Sequence, residues 1–135
     1  MIRAPSFSLR GMTTIQKIGR VMIPSADQDT AIAWYRDKLG FEVTVDVPFG
    51  EGDRWVELTL PGDSTAIALA PPMGPFQPGH ATGIGLETKD ARALHADLQG
   101  KGVNVDDDLM GGDGTVPLLF GFRDAEGNNL MVAEV

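Results

Sequence analysis

Hydrophobic residues recur at two different spacings along the chain, and the spacing separates predicted helices from predicted strands. Two stretches repeat apolar residues every three to four positions, as an amphipathic helix does: Ala31, Ile32, Tyr35 and Leu39 in the first, and Ala91, Leu94 and Leu98 in the second. Each stretch carries its apolar residues on one face. We therefore expect two helices that each pack one face against a core.

Residues suited to helix ends flank both stretches. Ser25 and Asp27 are candidate N-caps of the first helix, and Gln28 is placed to complete a capping box with Ser25. Gly40 and Gly102 follow the two helices, at the position where a left-handed backbone conformation favours glycine. The start and stop signals thus agree with the apolar spacing.

Between and after the helices, apolar residues alternate with polar ones, which indicates β-strands. Strands are predicted at 15–23, 41–47, 55–60 and 65–70 in the first half, and at 84–88, 103–105, 116–122 and 129–134 in the second. Turns are predicted at 61–64 and 124–128, where Gly, Asp and other turn residues cluster. Each half therefore consists of a strand, a helix and three further strands.

The repeated order indicates two related modules. Gly102 lies 62 positions after Gly40, and Asp90 lies 63 positions after Asp27. Module one is assigned to 15–70 and module two to 80–135, joined by a linker at 71–79 with four prolines and two glycines. Modules of this size are too small to be stable alone, so we expect one domain over 15–135 with a shared core. Residues 1–14 are interpreted as a disordered or additional N-terminal lead, with Met1 and Met12 as alternative starts.

Composition narrows the class of protein. With 11 Lys and Arg against 19 Asp and Glu, the formal net charge of -8 disfavours nucleic acid and anionic membrane surfaces as partners. No apolar run approaches the roughly 20 residues of a spanning helix, and the first residues lack the apolar core of a secretory signal. No cysteine is present, which removes disulfides, thiolate nucleophiles and cysteine zinc sites. These features predict a soluble, cytoplasmic globular protein.

Three motifs resemble those of the vicinal oxygen chelate superfamily, which includes glyoxalase I, bleomycin-resistance proteins and extradiol dioxygenases. They are IPSAD at 23–27, AWYRDKLGF at 33–41 and FRDAEGN at 122–128. The last two are similar to the family signatures FYRDxLGF and FRDPDGN, and the resemblance covers 15–135. It implies an α+β fold of tandem βαβββ modules, glyoxalase/bleomycin-resistance-like, whose curled sheets surround a cavity. It also implies a homodimer.

The resemblance places four metal-ligand positions on the first and last strands of the modules, at Arg20, Gly83, Ala70 and Glu134. A divalent ion needs several converging carboxylate or imidazole donors, and a guanidinium in that shell would repel it. Only Glu134 supplies such a donor. We therefore expect no cofactor; a divalent metal, if one binds, would be held by Glu134 and His80.

Arg20 has two alternative roles. It can form an ion pair with Glu134 across the cavity in place of a metal ion, which we consider first, or it can hold an anionic ligand. The candidate ligand-binding residues are charged, aromatic or apolar side chains expected around the cavity: Arg20, Trp55, Met110, Phe120, Phe122 and Glu134. The two histidines, His80 and His95, are expected on the surface.

Three functions fit these residues. The first is a metal-free protein that binds a flat or hydrophobic small molecule without converting it, as in the bleomycin-resistance branch. The alternative is a metal-dependent lyase, isomerase or dioxygenase acting on a small oxygenated substrate. The third is a metal-free enzyme whose catalytic candidates are Glu134 or Glu57 as base and Arg20 as the group that holds an anionic substrate.

Overall fold

Among the residues that the structure describes, each half of the chain forms one helix and one four-stranded sheet. The computed structural model describes residues 14–62 and 65–135, so the predicted lead at 1–14 lies almost wholly outside the described residues, as does half of the predicted turn at 61–64. The elements are β1 (Arg20–Pro24), α1 (Gln28–Trp34), β2 (Glu42–Phe49), β3 (Asp53–Thr59), β4 (Ala66–Ala70), β5 (Ala81–Thr88), α2 (Ala91–Gly100), β6 (Asn104–Val105), β7 (Leu119–Arg123) and β8 (Asn129–Glu134).

The two sheets have the same topology. Their strand orders are β1-β4-β3-β2 and β5-β8-β7-β6. In each sheet the first and last strands of the module are parallel neighbours, and the remaining pairs are antiparallel. The predicted α+β fold of tandem βαβββ modules is confirmed. The last strand of each module, rather than its second, therefore lies beside the first.

Local signals set the ends of the first helix. The Asp27 carboxylate accepts a hydrogen bond from the Thr30 backbone N–H at 3.1 Å, which caps the N-terminus of α1. After α1 the backbone continues as a π-helical turn, Tyr35–Leu39, which ends at Gly40 with a φ of 81°. Among the described residues, no helix has the length and hydrophobicity needed to cross a membrane.

The predicted capping box is wrong. Ser25 directs its hydroxyl away from α1 and donates a hydrogen bond to the Glu126 carboxylate in module two. The Gln28 side-chain amide donates to the backbone carbonyls of Arg54 and Leu69, each at 2.8 Å. Both side chains thus join α1 to other parts of the fold instead of closing its first turn.

One core joins the two modules. Tyr35 is fully buried, and its hydroxyl donates to Asp124 Oδ2 at 2.6 Å in the turn before β8. The Trp34 ring stacks on Phe122 of β7, with 6.2 Å between the ring centroids. The helix of module one therefore packs directly against module two, and most of the buried apolar residues that the structure describes belong to one cluster drawn from both modules.

Candidate functional site

The sheet of module one has a core face and an open face. Ile23 of β1 and Ile67 and Leu69 of β4 belong to the hydrophobic core, and the partly buried Val21 packs against it. The alternate residues point to the opposite side, because side chains along a strand alternate between faces. We call this side the open face, and it includes Arg20, Met22, Val45, Val47, Phe49, Trp55, Glu57, Ala66 and Ala68.

An ion pair crosses the open face. Arg20 Nε lies 2.9 Å from Glu57 Oε2, and Trp55 Nε1 donates to the same oxygen at 2.7 Å. Since β4 lies between β1 and β3, the two backbones are about 10 Å apart, a distance that only long side chains span. The intervening residues of β4 on this face are Ala66 and Ala68, whose small side chains leave room for the pair.

The pair is buried at its acidic end and exposed at its basic end. The Glu57 side chain is 11% exposed, whereas the Arg20 side chain is 52% exposed. Glu57 lies in one row with Ala68 and Met22, and Ala68 is fully buried. The carboxylate is therefore held at the floor of the open face, with the guanidinium reaching it from the side.

Apolar side chains border this ion pair. The ring centroids of Phe49 and Trp55 are 5.7 Å apart at an interplanar angle of 64°. Phe49 is 52% exposed, Met22 is 52% exposed and Val47 is 47% exposed. Reasoning from the sequence did not single out these three residues as ligand contacts. The alternation within β2 groups Val47 and Phe49 on one face, but only the strand order shows that this face carries the ion pair.

The predicted ion pair between Arg20 and Glu134 is wrong. Glu134 Oε1 accepts a hydrogen bond from the Ala91 backbone N–H at 3.0 Å, at the first residue of α2. A carboxylate at this position satisfies a free N–H and interacts favourably with the helix dipole. Glu134 therefore stabilises a helix end in module two and does not contact Arg20.

The four positions that the resemblance implied for metal ligands do not together supply the carboxylate and imidazole donors that a divalent ion needs. Arg20 pairs with Ala66 whereas Pro24 pairs with Ala70, so the Arg20 and Ala70 positions are separated by about 13 Å along the strands. Arg20 is bound to Glu57 instead. Among the described residues, no group of three or more His, Asp or Glu side chains is arranged to hold a metal ion.

His80 and Glu134, the fallback pair for a metal, lie at opposite ends of module two. The His80 carbonyl accepts from the Asn129 N–H at the start of β8, and Glu134 is the last residue of that strand. Five residues of extended chain separate the two positions by roughly 17 Å. The structure therefore does not bring these two side chains together.

Two of the predicted ligand-binding residues belong to the core. Phe120 and Phe122 are fully buried, because the residues of β7 on that side face the helices. The histidine of α2, His95, is buried at 8% exposure, so its predicted surface position is wrong. The His95 ring contacts Phe120, and its Nε2 donates to the carbonyl of Asp106 at 2.6 Å. The buried rings of Phe120 and Phe122 are therefore not available to a ligand on the surface.

The remaining predicted residue, Met110, is 58% exposed and lies in module two, where its backbone pairs with Leu119. Close to it in the chain, Asp106 accepts from Arg123 at 2.6 Å and from the Gly121 N–H at 2.9 Å. Burial raises the pKa of Asp106, but these two hydrogen bonds and the Arg123 charge outweigh that effect, so the pKa is lowered. Asp106 therefore remains ionised as a structural partner of β7.

Comparisons with known proteins point to one family. Residues 17–132 match the family model described as the Glyoxalase/Bleomycin resistance protein/Dioxygenase superfamily. A solved structure of a member of that superfamily from Sphaerobacter thermophilus DSM 20745 aligns with a TM-score of 0.83 and 28% identity, over 91% of this chain and 100% of that one. TnmS3, an antibiotic binding protein from Streptomyces sp. CB03234, aligns with a TM-score of 0.79 and 27% identity, over 91% of this chain and 98% of that one.

A curated relative matches over a shorter region. The uncharacterized protein YetH from Bacillus subtilis (strain 168) is 32% identical over 57 residues, which is 42% of this chain and 48% of YetH. The match thus spans about half the length of that relative.

Proposed function

Since the chain belongs to the glyoxalase/bleomycin resistance protein/dioxygenase superfamily, we propose that it binds a flat, largely apolar small molecule on the open face, without a metal ion and without converting the ligand. The observation that carries this proposal is the Arg20–Glu57 ion pair. It stands at the position where the resemblance implied the first metal ligand. The Arg20 guanidinium already balances the Glu57 charge, so a ligand would be held chiefly by contact with the face.

The apolar part of the open face supports a flat ligand. Phe49 and Trp55 together present aromatic surface beside the half-exposed side chains of Met22 and Val47. Aromatic side chains bind other rings by offset or edge contacts, and binding sites typically combine such surface with a few polar groups. The description of TnmS3 as an antibiotic binding protein supports binding rather than turnover.

The metal-dependent alternative lacks support from the donor set. Of the four implied ligand positions, only Glu134 carries a carboxylate, and that group is engaged with the N-terminus of α2. The third function required Glu57 or Glu134 as a general base. Glu57 accepts from both Arg20 and Trp55 through one oxygen, which favours a binding role over proton transfer.

A homodimer is part of the same proposal. The apolar side chains of Met22, Val47 and Phe49 are about half exposed on a single chain, and exposed apolar patches commonly mark an interaction surface. A second copy lying over the open face would cover the outer side of the ligand. Size-exclusion chromatography with light scattering should give twice the mass of one chain, and a monomer at every concentration would contradict the dimer.

Ligand screening in the presence of EDTA tests the proposed function. Flat aromatic compounds should raise the melting temperature of the chelator-treated protein, and Val47→Ala should weaken their binding. Val116→Ala is the matched control, because Val116 is 50% exposed in module two and lies outside the open face. Binding that needs an added metal ion, or that both valine variants weaken equally, would contradict the proposal.

A further inference from the structure

The Glu57 carboxylate uses only one of its two oxygens. Arg20 Nε and Trp55 Nε1 both donate to Oε2. Within residues 14–62 and 65–135, no side chain or backbone N–H donates to Oε1. The Glu57 side chain as a whole is 11% exposed. A largely buried carboxylate oxygen without a protein donor is unfavourable unless water or a ligand donates a hydrogen bond to it.

The strand register places the Glu57 side chain on the open face. Glu57 shares a row with Ala68 and Met22, and the Met22 side chain at the end of this row is 52% exposed. Trp55, two residues earlier on β3, contacts the same carboxylate through its indole N–H. A planar molecule lying against the Trp55 and Phe49 rings would therefore bring its edge to the carboxylate.

The charges of Glu57 and Arg20 determine which kind of ligand group can donate a hydrogen bond to Glu57 Oε1. The Arg20 guanidinium already balances the carboxylate, so an ammonium group at Oε1 would gain little from the pair and would be repelled by Arg20. A ligand carboxylate would be repelled by Oε1 itself. An uncharged N–H or O–H group satisfies the oxygen without either conflict.

We propose that Glu57 Oε1 is the specificity-determining acceptor for an uncharged N–H or O–H group on the edge of an aromatic ligand. This inference rests on the proposed function, in which a flat small molecule binds on the open face. Arg20 and Trp55 act as positioning residues, since their hydrogen bonds to Oε2 fix the direction of the free oxygen. The ligand class is thus narrowed from apolar rings in general to rings with a neutral donor.

Indole and benzofuran test this inference as a pair of probes. The two molecules have nearly the same size and shape, and only indole has an N–H donor. Nuclear magnetic resonance titration of the 15N-labelled wild-type protein should show that indole binds at least tenfold more tightly, as expected for a hydrogen bond to a carboxylate. The Trp55 indole N–H resonance should shift with both probes, which locates them on the open face.

Glu57→Gln provides the matched variant. The glutamine oxygen can keep the hydrogen bonds from Arg20 and Trp55, which places the amide nitrogen where Oε1 stood and replaces an acceptor by a donor. The preference for indole over benzofuran should then disappear, with benzofuran binding retained. Thermal melting confirms that the variant is folded, and the wild-type comparison stands by itself if it is not.

The outcomes separate the inference from the proposed function. Equal binding of both probes by the wild-type protein, with the Trp55 resonance shifted, would overturn the role of Glu57 and leave small-molecule binding intact. An indole preference that persists in folded Glu57→Gln would overturn it as well. Failure of both probes to bind the folded wild-type protein would contradict the proposed function and the inference together.

Discussion

The side chain of Arg20 crosses strand β4 and meets Glu57 on β3, with 2.9 Å between Nε and Oε2. The two residues are 37 positions apart in the chain and belong to strands that are not adjacent. The pair links three strands on the open face and occupies the position that the resemblance assigned to a metal ligand. The stability and the binding chemistry of this face therefore depend on the same two side chains.

Arg20→Gln should destabilise the fold, because it leaves the Glu57 carboxylate with Trp55 as its donor. We expect the free energy of unfolding to fall by about 1–2 kcal/mol, below the value for a fully buried pair since Arg20 is half exposed. Arg36→Gln is the control, because the Arg36–Asp37 pair is exposed at both ends. Equal stability of the two variants in urea denaturation would show that the pair contributes nothing.

Glu134 should act as a helix cap rather than as a site residue. Glu134→Ala removes the acceptor for the Ala91 N–H and should lower the free energy of unfolding by about 1 kcal/mol. Glu134→Gln retains an oxygen acceptor and should lose less. Ligand affinity on the open face should be unchanged in both variants, and a loss of affinity with unchanged stability would contradict this role.

The helix ends illustrate which features can be predicted from sequence. Asp27, a predicted N-cap, accepts from Thr30. The same arrangement recurs at Asp90, which accepts from Ala93. Gly40 and Gly102 have φ values of 81° and 80°, a conformation that suits glycine after a helix. The strand at 129–134 also has its predicted bounds. All these features depend on residues that are close together in the chain.

The partners of the charged residues could not be predicted in the same way. The partner of Arg20 depends on β1 pairing with β4, which places β3 two strands away. The partner of Glu134 depends on β8 ending beside the first turn of α2, 43 positions earlier in the chain. Phe120 and Phe122 are predicted around the cavity, but both are buried, and Trp34 of the other module stacks on Phe122. These relationships arise from the assembly of distant elements.

Tyr35 should remain protonated well above neutral pH. Burial raises the pKa of its hydroxyl above the ordinary value, and the Asp124 charge raises it further. Since an unfolded tyrosine titrates near pH ~10, the unfolded state loses a proton first, and the free energy of unfolding should decrease as pH rises above that value. Tyr35 is the only tyrosine in the sequence, so tyrosinate absorbance reports it directly.

Tyr35→Phe is the variant for this prediction. It should lower stability at neutral pH by about 1–2 kcal/mol, because Asp124 loses a hydrogen bond in a buried position. The variant should also lack part of the decrease in stability above pH ~10. Formation of tyrosinate in the folded wild-type protein near its ordinary pKa would contradict the buried hydrogen bond.

Asp106 should stabilise module two in its ionised form. Its pKa is lowered in the folded protein, so its contribution is present above the unfolded value of about 3.9 and is lost as pH falls below it. Asp106→Asn should therefore be less stable than wild type at neutral pH, and the difference should shrink in acid. Asp108→Asn, at an exposed position in the same segment, is the control. A stability difference that is independent of pH would contradict the ion pair with Arg123.

The most direct test of metal-independent binding is elemental analysis of protein purified without chelator, combined with melting temperatures after EDTA treatment and after addition of nickel, zinc, manganese or iron. We expect substoichiometric metal and an unchanged melting temperature, since the Arg20 guanidinium is ion-paired with Glu57 and cannot ligate a metal ion. Stoichiometric metal, or a clear rise in melting temperature with one ion, would contradict it.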